Sequence, residues 1–345
     1  MGILSNIAKK HKRIAIVGMA KNAGKTTTLN YLIEEAMDET MTIGVTSTGR
    51  DGEKTDLVTG TDKPKVYLDT GTLVSVPVQL YDLCDAGLEI LRMTKYSTAL
   101  GQLMICRVAD SGYVQIAGPV NTTDHKNMCL EMIELGAELI LIDGAADRRS
   151  IAAPATSDAI ILATGAVLSR SLKKVVEETL HVLNLYQLPV LSEDGVRKKL
   201  LEGMTEKKIR LIKKDGILDL DLATGLMAGR FLDEATDDNT QWIYVPGALT
   251  QSVVSDIHPS KLKNLTFVLK DPTRIFIGST PWQQLYKKGF RVNVLENIVV
   301  AALTVNPFAP SGYSFGHGEL LNAMEGAIKD IPIIDVRYLT REGLC

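Results

Sequence analysis

Residues 18–26 read Gly18-Met19-Ala20-Lys21-Asn22-Ala23-Gly24-Lys25-Thr26, with Thr27 next and the apolar run Arg13-Ile14-Ala15-Ile16-Val17 directly before. These residue types at this spacing suit an anion. Glycines at 18 and 24 let the backbone curl so that successive N–H groups, those of Asn22 and Ala23 among them, face one point. A helix opening over Lys25, Thr26 and Thr27 sets the positive end of its dipole on that point. Lys25 adds a mobile cation for the outer phosphates of a nucleotide, and the Thr26 hydroxyl suits Mg2+.

A second candidate is Glu138-Leu139-Ile140-Leu141-Ile142-Asp143-Gly144. Four apolar residues running into a carboxylate place Asp143 at the carboxyl end of a buried strand, where it holds Mg2+ directly or through water. A third is the polar stretch Thr46-Ser47-Thr48-Gly49-Arg50-Asp51-Gly52-Glu53-Lys54-Thr55-Asp56. At the same strand edge, Asp56 or Asp51 offers a further carboxylate to the metal, and Arg50 or Lys54 a charge to neutralise a transferred phosphoryl group. The alternative for this stretch is a solvated loop rich in capping residues. Asp147-Arg148-Arg149-Ser150 either orders a switch or caps the next helix. Asn121-Thr122-Thr123-Asp124 reads as a helix cap with His125 in the first turn.

The elements that must position these groups follow from periodicity. Strands are predicted at Arg13–Val17, Met41–Val45, Leu73–Val76, Tyr113–Ala117, Leu139–Ile142 and Ala159–Ala163, and helices over 25–37, 80–92, 124–135 and 170–184. After 25, Leu29, Leu32, Ile33, Ala36 and Met37 recur at helical spacing, so one face of that helix packs on a sheet. Alternating strands and helices predict an α/β fold, a doubly wound parallel sheet carrying the phosphate loop, with a second, smaller α/β unit. Three segments are expected: a nucleotide-binding domain over 1–190, a charged connector over 191–240, and a second unit over 241–345. That last unit has apolar runs at Trp242–Val245, Leu265–Leu269, Arg274–Ile277 and Ile298–Val305, and a helix near 281–288. The strand at 298–306 either belongs to that unit or returns to the nucleotide site.

The loop departs from the commonest phosphate-loop spacing, because Met19 stands where the first glycine is usual and Gly18 lies one residue earlier. This Gly-x5-Gly-Lys-Thr form resembles the loop of dethiobiotin synthetase, the cobyrinate amidating enzymes and related P-loop proteins. The Asp143 strand resembles a Walker B strand, with Gly144-Ala145 similar to the Glu-Gly-Ala segment of dethiobiotin synthetase. The resemblance covers roughly residues 12–185. It implies an ATP-binding, Mg2+-requiring protein that hydrolyses ATP, and a site that relatives often complete across a homodimer, with Arg148 or Arg149 acting in trans. Taken whole, the chain is also similar to the small P-loop subunit of the reactivating factor for adenosylcobalamin-dependent lysine aminomutase. That likeness implies a nucleotide-driven switch acting on a partner enzyme. A ligase or kinase activating a small molecule's carboxylate or hydroxyl is the alternative, and a binding module with little turnover the third reading.

Adenine is the expected base, because no Asn/Thr-Lys-x-Asp carboxylate is present to pair with guanine. In Leu303-Thr304-Val305-Asn306-Pro307-Phe308-Ala309-Pro310, Asn306 stands like the asparagine that contacts adenine in dethiobiotin synthetase. A plain strand-to-turn with proline punctuation is the alternative.

Composition bounds the partners. The 345 residues are 45% hydrophobic, 5% aromatic and 23% charged, with net charge −3, which leaves no global basic field to draw nucleic acid or an anionic membrane. The basic residues of 194–214 lack interleaved aromatics and read as a solvated helix face. Apolar runs are strand length, well short of the roughly 20 residues that span a bilayer. Met1-Gly2-Ile3-Leu4-Ser5 has Asn6 where acylation wants Ser or Thr, and no secretory signal follows. Four cysteines, Cys84, Cys106, Cys129 and Cys345, are scattered without a Cys-x-x-Cys pair, which fits a reducing cytoplasm and argues against a zinc or iron–sulfur centre.

Overall fold

The computed structural model describes residues 2–48, 65–144, 152–202, 208–220 and 228–336. The chain divides into two compact units: Met1–Val176 with Val300–Cys345, and Glu177–Val299.

In chain order the elements are α1 (Ile3–Ala8), β1 (Arg13–Gly18), α2 (Lys25–Asp38), β2 (Ile43–Ser47), β3 (Val66–Leu68), β4 (Leu73–Pro77), β5 (Gly87–Thr98), β6 (Gly101–Asp110), β7 (Gly112–Val114), α3 (Thr122–Glu134), β8 (Leu139–Asp143), β9 (Ala159–Gly165) and α4 (Leu172–Tyr186). The unit boundary falls inside α4. Then come α5 (Asp194–Glu202), β10 (Ile209–Lys213), β11 (Gly216–Leu220), α6 (Ala228–Ala235), β12 (Thr240–Tyr244), β13 (Leu249–Thr250), α7 (Gln251–Ser255), α8 (Pro259–Leu262), β14 (Thr266–Leu269), β15 (Ile275–Phe276), α9 (Ser279–Lys287) and β16 (Arg291–Val294). The first unit resumes with β17 (Val300–Asn306), α10 (Glu319–Ala327) and β18 (Ile333–Asp335).

The first unit is α/β, built on a nine-stranded sheet in the order β18-β17-β9-β1-β8-β2-β4-β6-β5. From β18 to β4 every neighbouring pair is parallel, and β6 and β5 extend the sheet as an antiparallel hairpin. The central strands are buried on both faces, which is why β1, β8 and β9 read as continuous apolar runs rather than alternating ones. On one face Ile14, Ile16, Val45, Leu139 and Leu141 share a core cluster with Leu29, Leu32 and Ile33 of α2. The other face receives α3. A Cβ at Gly44 would lie 2.6 Å from Cδ1 of Ile140 and 3.0 Å from Cε of Met132, so glycine admits the helix to the sheet there.

The foot of β1 is fixed by Asp158. Its Oδ2 accepts from the backbone N–H groups of Lys12 and Arg13 at 3.0 and 2.9 Å, and its Oδ1 pairs with Arg13 Nη2 at 2.6 Å. Burial alone would raise the Asp158 pKa; the Arg13 guanidinium and these amides outweigh it and lower the value below its ordinary position.

Two predicted elements differ. The stretch 80–92, read as a helix, holds a 3-10 turn at Val78–Leu83 and then the start of β5. Register shifts along the β5–β6 ladder insert extra residues and erase the strand's period of two, which leaves a spacing that mimics a helix. The strand read at Tyr113–Ala117 is confined to β7, which pairs with β3 outside the main sheet. Tyr67 and Tyr113 face solvent there with ring centroids 5.3 Å apart, the half-exposed pattern of a two-stranded ribbon.

The second unit carries a five-stranded sheet, β11-β10-β12-β14-β16. Here β12, β14 and β16 run parallel, and β10 is antiparallel to both β11 and β12. Phe267, Phe290 and Trp282 form an aromatic centre, with centroid separations of 5.3 and 5.4 Å along the chain of contacts. The unit therefore begins inside α4 rather than at 241, and the residues read as a charged connector supply α5, β10, β11 and α6. Part of their charge is spent on internal ties: Arg210 Nε lies 2.6 Å from Asp219 Oδ1, Lys213 Nζ 2.7 Å from Asp237 Oδ2, and Arg197 donates to the Leu295 carbonyl at 2.7 Å. The run read at 298–305 leaves this unit and becomes β17, beside β9.

Candidate functional site

The connection from β1 runs by way of α2 toward β2, whereas β9 leads toward β17 on the other side. The carboxyl ends of β1 and β9 thus flank a topological switch point, where open α/β sheets leave a crevice. The Gly18–Thr26 loop stands at that crevice. Met19 N–H donates to the Ala163 carbonyl of β9 at 2.9 Å and fixes the loop's exit from β1. Two residues then turn through the left-handed region, Asn22 at φ 64° and Gly24 at φ 105°. Asparagine tolerates that region and glycine is unhindered in it.

Past Gly24, α2 begins without a side-chain cap and with no acidic residue in its first turn. The contrast with α3 is direct, because the Asn121 side chain there accepts from the Asp124 N–H at 2.8 Å, as the capping reading requires. The N-cap of α2 thus offers its opening N–H groups no side-chain acceptor, and the helix dipole favours an anion at that end. Lys25 bends back along the loop: a Cβ on Gly18 would lie 2.9 Å from its Cγ and 3.0 Å from its Cδ. Thr26 is exposed, Thr27 half-buried and Ala23 buried.

Asp143 ends β8, opposite Ile16 of β1 on one side and Ser47 of β2 on the other, and its carbonyl accepts from Thr48 N–H at 3.2 Å. Adjacent strands thus bring the carboxylate and the loop to one sheet edge. Beside them, Ser47 Oγ and Thr48 Oγ1 are buried, with no hydrogen-bond partner among the described residues. The polar stretch after the second strand marks neither residue for a role; that they stand beside Asp143 follows from the β2–β8 pairing. Behind Ser47 lies His125, 1% exposed, with Nδ1 3.8 Å from Cys129 Sγ and no hydrogen-bond partner within ordinary geometry for Nε2 among the described residues. Burial, with Arg13 adding, pushes its pKa down to about 4 against a weaker opposing influence of the Ser47 backbone, so the ring is neutral at physiological pH.

Asn306, 281 residues after Lys25 in sequence, ends β17 against the loop. Its Nδ2 donates to the Asn22 carbonyl at 3.4 Å, its Oδ1 accepts from Phe308 N–H at 3.1 Å, and a Cβ on Gly24 would lie 3.1 Å from its Cβ. Arg50, Asp51, Lys54, Asp56, Asp147, Arg148 and Arg149 lie outside the described residues. Among the described residues no three His, Cys, Asp or Glu side chains converge as a metal cluster, and no helix is long and apolar enough to cross a membrane. No known protein family, curated protein or solved structure matches the chain.

Proposed function

We propose that the first unit binds Mg-ATP through the Gly18–Thr26 loop and hydrolyses it to drive a conformational switch that acts on a partner enzyme. The observation that carries the reading is the combination at the switch point: a glycine-bounded loop, an uncapped 14-residue helix, and Lys25 folded along the loop. Gly18, Asn22, Ala23, Gly24 and Thr27 would line the phosphates with backbone N–H groups, and Lys25 would meet the outer phosphate. Thr26 and Asp143, with Asp56, would hold Mg2+, which would draw charge from the phosphate oxygens. The oxygen-only donor set suits a hard cation, and the Ser47 and Thr48 hydroxyls beside Asp143, without partners among the described residues, would give ordered water ligands a place to bond. Arg50 and Lys54 are the cations assigned to charge developing in transfer.

The switch reading is supported by connectivity. The strand that reaches the loop, β17, is the first element after the second unit, so the chain runs directly from that unit into the strand that touches the loop. Calorimetric titration with Mg-ATP tests the binding reading: wild type binds, and Lys25→Ala loses at least about tenfold in affinity with unchanged thermal stability, as expected for one charge-assisted contact. Equal affinities would exclude the loop. Hydrogen exchange then tests the switch. Amides within 177–299 should differ between Mg-ADP and a non-hydrolysable Mg-ATP analogue, whereas a small-molecule ligase or kinase would show ADP release stoichiometric with an added carboxylate or hydroxyl substrate.

A further inference from the structure

The geometry points to Asn306 as a positioning residue that holds the phosphate-binding loop in its anion-receiving conformation, rather than as a reader of the base; this rests on the loop reading above. Both ends of its amide are committed within the chain. Nδ2 donates to the carbonyl of Asn22, the residue at φ 64°, and Oδ1 accepts from Phe308 N–H. The residue is 8% exposed, and its Cβ and amide lie against Gly24, the other left-handed position of the loop.

Its own backbone is fixed in turn. The Asn306 carbonyl accepts from Ala166 N–H at 2.9 Å, and Gly165 approaches that carbonyl so closely that a Cβ there would collide with it. The side chain is therefore delivered to the loop from a strand held on its β9 side. Asparagine tolerates the left-handed region without being confined to it, and a donor on its carbonyl biases the loop toward the turn that points N–H groups at an anion.

Base reading and loop bracing make opposite predictions for a ligand with no base. Affinities of wild type, Asn306→Ala and Asn306→Ser are measured by calorimetry for Mg-ATP, Mg-GTP and Mg-tripolyphosphate. A brace predicts that both variants lose about tenfold for all three, by a common factor, as for one lost hydrogen bond with its ordering. Tripolyphosphate binding left at wild-type strength while the ATP-to-GTP ratio shifts would overturn the brace and restore the base reader. A second arm uses Asn22→Gly, which removes the steric cost of positive φ. In that background Asn306→Ala should lose clearly less than in wild type, and an undiminished loss would also overturn the proposal. Failure of wild type to bind any of the three ligands would instead remove the phosphate-loop reading, and the brace with it. Wild-type binding with both Asn306 variants unchanged removes the brace alone.

Discussion

The hydroxyl oxygens of Thr28 and Thr304 meet 2.8 Å apart, on residues that are 0% and 2% exposed. The contact joins α2, whose first turn carries Lys25 and Thr26, to β17 two residues before Asn306. Removing one partner leaves a buried hydroxyl unpaired, which costs about 1–3 kcal/mol, whereas replacing both by valine is closer to neutral. Urea unfolding of Thr28→Val, Thr304→Val and the double variant should therefore show a coupling of about 1 kcal/mol. Additive losses would mean that each hydroxyl finds another acceptor.

That pair also shows how much of the site was legible. The loop, the helix after it and the Asp143 strand could be read locally, because glycine spacing, an amphipathic period and an apolar run ending in a carboxylate are each set within about ten residues. The return of β17 was visible only as a choice, since Leu303-Thr304-Val305-Asn306 carries no mark of its neighbour. Its partner is decided by packing on β9 across the whole intervening second unit. The β5–β6 hairpin was hidden for a different reason: its register shifts remove the alternation that announces a strand. The start of the second unit was misplaced because Arg210 and Lys213 suggest a solvated face, whereas in the fold they sit in β10 and pair with Asp219 and Asp237.

On the proposed reading, Thr26 and Asp143 act on the metal and Lys25 on the phosphates, so their variants separate by magnesium dependence. Thr26→Ala and Asp143→Asn should raise the Mg2+ concentration for half-maximal ATP binding by at least about tenfold, and excess Mg2+ should restore much of the affinity. Lys25→Ala should not be rescued by metal. Magnesium titrations at fixed ATP decide the matter, and curves for Thr26→Ala and Asp143→Asn that overlay wild type would take both residues off the metal.

The last expectation concerns acid. His125 is neutral in the fold, with its pKa pushed down to about 4 by burial first and by Arg13 second. In the unfolded chain the ring titrates near its ordinary value of about 6.5. Between these values the unfolded state binds the extra proton, so stability rises with pH across the window. The contribution is fully present above about pH 6.5 and is lost as pH falls toward 4, on the order of 3 kcal/mol in all. Cys129, whose Sγ faces Nδ1, does not titrate in this range, because burial pushes its thiol up to about 12. Asp158 does not add to the loss there either: its lowered pKa keeps its ion pair with Arg13 until the pH falls below about 4, the ordinary carboxylate value. Replacing the ring in His125→Leu removes both the titration and a buried Nε2 that has no close hydrogen-bond partner among the described residues. Urea midpoints from pH 4 to 8 should therefore fall less steeply on acidification for His125→Leu than for wild type, with little difference between the two proteins at pH 8. Parallel curves would show that acid sensitivity in this window arises from other groups.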